Sequence, residues 1–159
     1  KDDKQKTFGL LVICGINLGL RIDDLLQLTF EDLRSDTVTI TEGKTNKKRT
    51  LAINDHIKLA LTHFDDDSRG FAFTSQKGTR FSSQHVNRKL KELFKGVGDG
   101  KVSTHSLRKC FGRRVFESNG ESEKSLVYLS QLFNHSSTQV TRTYLGIQQD
   151  ELNDIYNNL

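Results

Sequence analysis

Apolar residues recur at helical spacing through most of the chain and alternate strictly in only one stretch. Leu10, Leu11, Ile13 and Cys14 mark a buried first helix that is expected to run out over Gly15 to Gly19. Leu25, Leu26 and Leu28 predict a short second helix, opened by Arg21. Val38 and Ile40 then alternate with threonines in Thr37-Val-Thr-Ile-Thr41. Gly43-Lys-Thr-Asn-Lys47 reads as a turn, and Leu51 and Ile53 alternate on the return, which predicts a β-hairpin with a basic tip. A helix over 55–64, an extended piece at Phe71-Ala-Phe73, and a helix capped by Ser82 or Ser83 and carrying Val86, Leu90, Leu93 and Phe94 follow. Gly96 to Gly100 reads as a loop, and helices are expected over 104–117, 122–133 and 137–145. Leu152, Ile155, Tyr156 and Leu159 recur at i, i+3, i+4 and i+7 on a tail helix over 146–159 whose other face is acidic. The predicted fold class is mainly α with a small antiparallel β-sheet (α+β).

At 159 residues the chain fits a single domain able to bury its core without staples. Its two cysteines, Cys14 and Cys110, sit within apolar helical patterns and read as small buried hydrophobes, which suits a reducing cytosol. No apolar run approaches the roughly 20 residues that span a bilayer, and the chain opens on charge, so a soluble intracellular protein is expected. Because it begins at Lys1 without a methionine, it reads as a fragment or processed chain. The net charge of +4 is mild but unevenly spread. Lys77 to Arg114 holds eleven Lys/Arg against two acids, Glu92 and Asp99, the one-signed stretch that attraction to a polyphosphate requires. The tail reverses this with Asp150, Glu151 and Asp154, and should face away from DNA. No paired carboxylate box accompanies His105 and His135, and Gly96-Val-Gly-Asp-Gly100 lacks phosphate-loop spacing, so neither a metal nor a nucleotide cofactor is expected.

Arginines, histidines and a tyrosine supply the candidate chemistry. Attack on a phosphodiester without a metal needs a nucleophile, donors for the charge growing on the nonbridging oxygens, and an acid for the leaving oxygen. Arg21 and Arg108 each offer a planar fork to phosphate, and His105 and Arg108, at i and i+3, share a helix face while Leu107, Cys110 and Phe111 turn toward the core. Gly112 extends the site-facing side with no side chain to obstruct DNA or Tyr144. A histidine near its ordinary pKa of about 6.5 can donate or accept a proton at neutrality. Tyr144 follows His135 by nine residues. Tyr128 and Tyr156, and His56, His63 and His85, have no comparable surroundings.

Leu18-Gly-Leu-Arg-Ile-Asp-Asp-Leu-Leu26, Thr104-His-Ser-Leu-Arg108 and Phe133-Asn-His-Ser-Ser137, followed by Tyr144, resemble in order and spacing the boxes of the tyrosine recombinase (phage integrase) family. The resemblance runs from about Phe8 to Ile147 and covers the family's catalytic domain; the amino-terminal DNA-clamping domain has no counterpart in this chain. It implies a site-specific recombinase or integrase in which Tyr144 attacks a backbone phosphorus and forms a 3′-phosphotyrosyl link. Arg21, His105, Arg108 and His135 are then the catalytic donors. Lys44, on the hairpin, is implied to protonate the leaving 5′-oxygen, with Lys47 and Lys48 as substitutes, and Asp24 to orient a guanidinium. Lys47, Lys48, Arg49, Arg80, Arg88 and Lys109 are candidate DNA contacts.

Two departures from the family pattern stand out. Asn134 replaces a usual glycine and is expected to supply the same left-handed conformation, and Ala52 replaces a usual proline. The implied partner is double-stranded DNA, bound by a homo-tetramer, with a monomer expected in its absence. The implied location is the bacterial cytoplasm and nucleoid, with the gene on a phage, a transposon or the chromosome. The tail helix packs either on its own domain or on a neighbour. Two alternatives remain open at this level: a type IB topoisomerase, which uses a related residue set to relax supercoils, and a non-catalytic DNA-binding module of the same fold.

Overall fold

A computed structural model describes residues 3–97 and 101–158, with the side chains of residues 3, 4 and 148 set aside. The predicted Gly96 to Gly100 loop therefore lies partly outside the described residues, and Leu159 wholly so. Helices and one two-stranded antiparallel sheet make up the regular structure, as the periodicity predicts. The chain divides into two compact units, Lys1–Arg108 and Lys109–Leu159. Among the described residues no helix is long and apolar enough to cross a membrane.

The first unit holds α1 (Asp3–Leu18), α2 (Ile22–Leu25), α3 (Phe30–Arg34), β1 (Thr37–Thr41), β2 (Lys48–Ala52), α4 (Asp55–Leu61), α5 (Ser83–Leu93) and the start of α6 (Thr104–Ser118). Leu11, Cys14, Leu33, Ile57, Phe73 and Val86 anchor one continuous core. Burial pushes the Cys14 thiol up to about 12, so it stays protonated and inert. α1 ends at Leu18, within the Gly15 to Gly19 stretch where the sequence predicts that it runs out, and it passes through Gly15 itself. A Cβ there would lie 2.8 Å from Leu107 Cδ1, so this glycine serves the close approach of α1 to the first turn of α6. The turn comes at Gly19, in the left-handed region at φ +61°.

α3 was not foreseen from periodicity, being too short to show one. It is fixed by a capping box in which Thr29 Oγ1 accepts from the Asp32 N–H at 3.1 Å and Asp32 Oδ2 accepts from the Thr29 N–H at 2.9 Å. The hairpin pairs Thr37 with Ala52 through Thr41 with Lys48, and the Glu42 N–H closes its turn on the Lys47 carbonyl at 3.0 Å. The Phe71-Ala-Phe73 piece, expected to be extended, forms no strand: it bends at Ala72 and Phe73 and is tied to residues 28–30 by Ala72 N–H to Leu28 O and Phe30 N–H to Gly70 O, each 3.0 Å.

The second unit holds the rest of α6 with α7 (Glu123–Phe133), α8 (Thr138–Leu145) and α9 (Ile147–Asn157). Ser122 and Ser137 cap α7 and α8 through the Ser125 and Val140 N–H groups. Phe116, Leu126, Leu129, Phe133, Leu145 and Ile147 form its core. Cys110 is exposed, against the expectation of burial. The inward positions of α6 at this level are Gly112 and Phe116, one turn apart, and that register turns Cys110 outward. The tail stripe is exposed in this chain: Leu152, Ile155 and Tyr156 are all open.

Gly112 does not keep a surface clear for DNA; it is buried. A Cβ there would come within 2.6 Å of Leu145 Cδ2 and 3.0 Å of the Phe133 ring, so the missing side chain lets α6 press against the segment that carries Tyr144. Gly112→Val is expected to cost about 1–3 kcal/mol by overpacking and to lower the urea midpoint of unfolding; an unchanged midpoint would remove the close-packing account.

Asn134 takes the left-handed conformation expected of it, φ 56° and ψ 45°. It ends α7 in a tight reversal with the His135 N–H on the Ser130 carbonyl at 2.8 Å, a 6→1 bond that satisfies the helix end and fixes His135 just beyond it. Asn134→Gly should leave stability within a few tenths of a kcal/mol, whereas Asn134→Val should cost about 1–2 kcal/mol. Equal melting temperatures for the two variants would contradict this.

Candidate active site

In the first unit the Arg21 backbone is extended (φ −66°, ψ 150°) at the N-cap position of α2, and a quarter of its side chain is exposed. Its Nη1 donates to Glu42 Oε2 at 2.9 Å. Glu42 is only 1% exposed and is engaged from two further sides. Thr45 Oγ1 donates to Oε2 at 2.7 Å, and Arg49 Nη2 stands 2.7 Å from Oε1 as an ion pair rather than an aligned hydrogen bond. Burial alone would raise the Glu42 carboxyl, but the Thr45 hydroxyl and the Arg21 and Arg49 guanidiniums outweigh it and hold the group below the usual range. Its contribution to stability is therefore present above the unfolded carboxyl value of about 4.3 and is lost as pH falls through the lower folded value.

Asp24 was expected to orient a guanidinium. Its Oδ1 instead accepts from the Gly43 N–H at 2.9 Å, while Oδ2 is buried without a hydrogen bond. The carboxylate seen on the Arg21 guanidinium is Glu42, which sequence reasoning passed over. Its signal was an acid inside an otherwise basic hairpin tip.

Arg108 is buried, and its Nη1 donates to the Gly19 carbonyl at 2.6 Å. Gly19 is two residues before Arg21, so both guanidiniums are referenced to one short piece of backbone. His105 is exposed at the start of the same helix. The shared face expected for His105 and Arg108 thus diverges at the side chains, because the long arginine reaches inward to that carbonyl. Lys44, Lys47 and Lys48 are exposed around the hairpin turn. Arg49 turns in to Glu42. Of the other candidate DNA contacts in this unit, Arg80 is exposed with its guanidinium 5.1 Å from the Phe71 ring centroid. Arg88 is also exposed, with Nη2 3.2 Å from His85 Nδ1. Burial and then the charges of Arg88 and Lys89 push the His85 imidazole down, which favours its neutral form.

In the second unit Tyr144 and His135 meet edge to face, ring centroids 5.1 Å apart at 71°. Phe133 packs against both, 5.5 Å from each ring, and fixes their spacing. Lys109 Nζ lies 5.3 Å from the Tyr144 ring centroid, a cation–π contact. His135 Nδ1 is 3.0 Å from the hydroxyl of Thr141, a wholly buried residue. Thr141 had no signal in the sequence; only the tight turn at Asn134 brings it to the imidazole. Two arginines around Tyr144 are tied to acids of α9 and α7. Arg113 Nη2 is 2.6 Å from Asp150, and Arg142 bridges Glu151 at 2.6 Å and Glu123.

Of these residues, Arg21, His105, Arg108, His135 and Tyr144 come from the segments that resemble the family boxes. The Phage integrase family model matches residues 6–151. The probable integrase/recombinase YoeC of Bacillus subtilis (strain 168) is 32% identical over 158 residues, 97% of this chain and 85% of YoeC. Tyrosine recombinase XerC of Xanthomonas campestris pv. campestris (strain B100) is 31% identical over 144 residues, 87% of this chain but 44% of XerC, so the chain spans less than half of that relative. Among solved structures, XerA recombinase has a TM-score of 0.68 at 22% identity, over 99% of this chain and 63% of that one. The XerH site-specific recombinase bound to palindromic difH substrate, a post-cleavage complex, has a TM-score of 0.65 at 19% identity, over 98% and 51%. The two structures share the fold, and the matches in sequence carry the assignment: this chain belongs to the phage integrase family of tyrosine recombinases.

Proposed function

We propose that the chain is the catalytic domain of a site-specific recombinase or integrase that cuts and rejoins DNA through a covalent 3′-phosphotyrosyl intermediate. The observation that carries this reading is the edge-to-face packing of Tyr144 on His135, beside Lys109, in a member of this family. The Tyr144 phenol, with an ordinary pKa near 10, must lose its proton as it attacks. Its oxygen bonds to phosphorus, the bond from phosphorus to the 5′-oxygen breaks, and Lys44 gives that oxygen a proton. His105 takes the phenolic proton. Arg21 and Arg108 neutralise the nonbridging oxygens with paired donors. The Thr141 hydroxyl, 3.0 Å from His135 Nδ1, orients the imidazole toward a nonbridging oxygen. A 5′-hydroxyl from another strand reverses the steps. The linkage energy stays in the phosphotyrosine, so the reaction needs no metal or nucleotide.

The substrate is double-stranded DNA, with Lys47, Lys48, Arg80, Arg88 and Lys109 on its phosphates and a homo-tetramer as the working assembly; Arg49, drawn in to Glu42, leaves that set. Among the relatives, XerH is described bound to its difH substrate and a lambda integrase dimer bound to a COC′ core site, which supports a DNA partner here. The working place is the bacterial cytoplasm, on the nucleoid. Incubation with a library of nicked duplexes carrying a randomised core, followed by recovery of protein-linked DNA from detergent, tests the reading. Recovered ends that share one sequence support a site-specific recombinase. Relaxation of supercoiled plasmid without site preference would point to topoisomerase activity, and binding with no linked DNA to a non-catalytic module.

A further inference from the structure

Glu42 is an acid at the tip of a hairpin whose other charged residues are all basic, and it is almost completely buried. A buried carboxylate is costly unless it is paired and hydrogen-bonded, and an apolar residue of similar size would often serve stability as well. Here it meets partners from three places: Arg21 at the start of α2, Arg49 in β2, and Thr45 in the turn. Its pairing with two guanidiniums offsets its negative charge and leaves the cluster net positive toward a phosphate. It also relieves the repulsion between two guanidiniums that it holds within 2.7–2.9 Å of its own oxygens. The next residue, Gly43, is tied to α2 by the Asp24 carboxylate at 2.9 Å, and Lys44 follows directly.

We infer that Glu42 is the positioning residue of this half of the site: its buried carboxylate locks the Arg21 guanidinium and the Lys44 turn into one cluster, so that the phosphate grip and the proton donor keep a fixed register. The inference rests on the strand-transfer reading above, in which Arg21 binds the phosphate and Lys44 protonates the leaving oxygen. Glu42 touches neither DNA nor the reacting atoms; it acts through Arg21 and the turn.

The test uses the nicked duplex enriched from the randomised library and compares the unsubstituted chain with Glu42→Gln, Glu42→Asp and Ile57→Val. Ile57 lies in the core away from the cluster, and its variant serves as a control for lost stability. Three quantities are read: the single-turnover rate of adduct formation at saturating DNA, the Kd for DNA, and the melting temperature. Glu42→Gln should slow adduct formation about 10- to 100-fold, the range typical for loss of a group that orients a reacting side chain, with Kd changed by less than about threefold. Glu42→Asp keeps the charge but is one methylene too short to hold both arginines, so it should be slowed less and melt closer to the parent. It also gives a reading if Glu42→Gln does not fold. Ile57→Val should keep the parental rate. A parental rate in both Glu42 variants, or a slowing that Ile57→Val matches at equal loss of melting temperature, would overturn the inference while leaving the strand-transfer reading standing. No adduct from the unsubstituted chain would overturn that reading and the inference with it.

Discussion

Tyr144→Phe is expected to eliminate protein-linked DNA while leaving DNA affinity and stability nearly unchanged. The substitution removes one oxygen and keeps the ring, so the packing on His135 and Phe133 and the Lys109 contact survive. The stability change should stay below about 1 kcal/mol, as for substitutions that neither open a cavity nor strand a buried polar group. Under the proposed reaction, chemistry in contrast loses the phenolic oxygen that attacks phosphorus. Tyr128→Phe and Tyr156→Phe should behave like the parent, since both side chains are mostly exposed, 57% and 75%. Adduct yield on the nicked duplex, read beside the binding isotherm, separates the cases. Persisting adduct in Tyr144→Phe would assign the nucleophile elsewhere.

Arg21→Lys and Arg108→Lys carry the second large effect. Each keeps a positive charge and loses the planar fork that matches two phosphate oxygens. A donor aimed at charge that develops in the transition state is worth roughly 10²–10³ in rate, so adduct formation should fall by about that factor in either variant. DNA affinity should fall far less, because one phosphate contact among several is altered and not removed. The two variants should differ in stability. Arg108 is 6% exposed and hydrogen-bonded to the Gly19 carbonyl, so Arg108→Lys leaves a buried acceptor poorly served and should cost about 1–3 kcal/mol. Arg21→Lys perturbs a partly exposed ion pair and should leave Glu42 short of a donor at smaller cost. Equal losses in rate and affinity for both variants would reduce these arginines to simple anchors.

Legibility in the sequence followed the range of the interaction. Elements set by neighbouring residues were readable: the serine cap of α5, the alternation of the hairpin strands, and the left-handed turn at Asn134. The candidate reacting groups come from the resemblance, whose boxes carry them at fixed spacings. Features set by the approach of distant segments were not. Gly15 reads only as part of the stretch that ends α1, and Gly112 as a clear surface, yet each marks close packing on a residue more than twenty positions away. Cys110 looked inward because its pattern fitted the early turns of α6, whereas the inward side at that level is set by Gly112 and Phe116. Glu42 takes the place expected of Asp24 for the same reason: which carboxylate meets Arg21 depends on how the hairpin folds back on α2, and no local spacing encodes that.

The most direct test of the account is to digest the DNA-linked protein with trypsin and locate the modified residue by fragmentation mass spectrometry. Cleavage after Arg142 yields a peptide that begins at Thr143 and carries both Tyr144 and Tyr156, so the fragments must distinguish the two. The account predicts a nucleotide remnant joined through a 3′-phosphate to Tyr144. A remnant on Tyr156 or Tyr128, on a serine, or on no residue would contradict it.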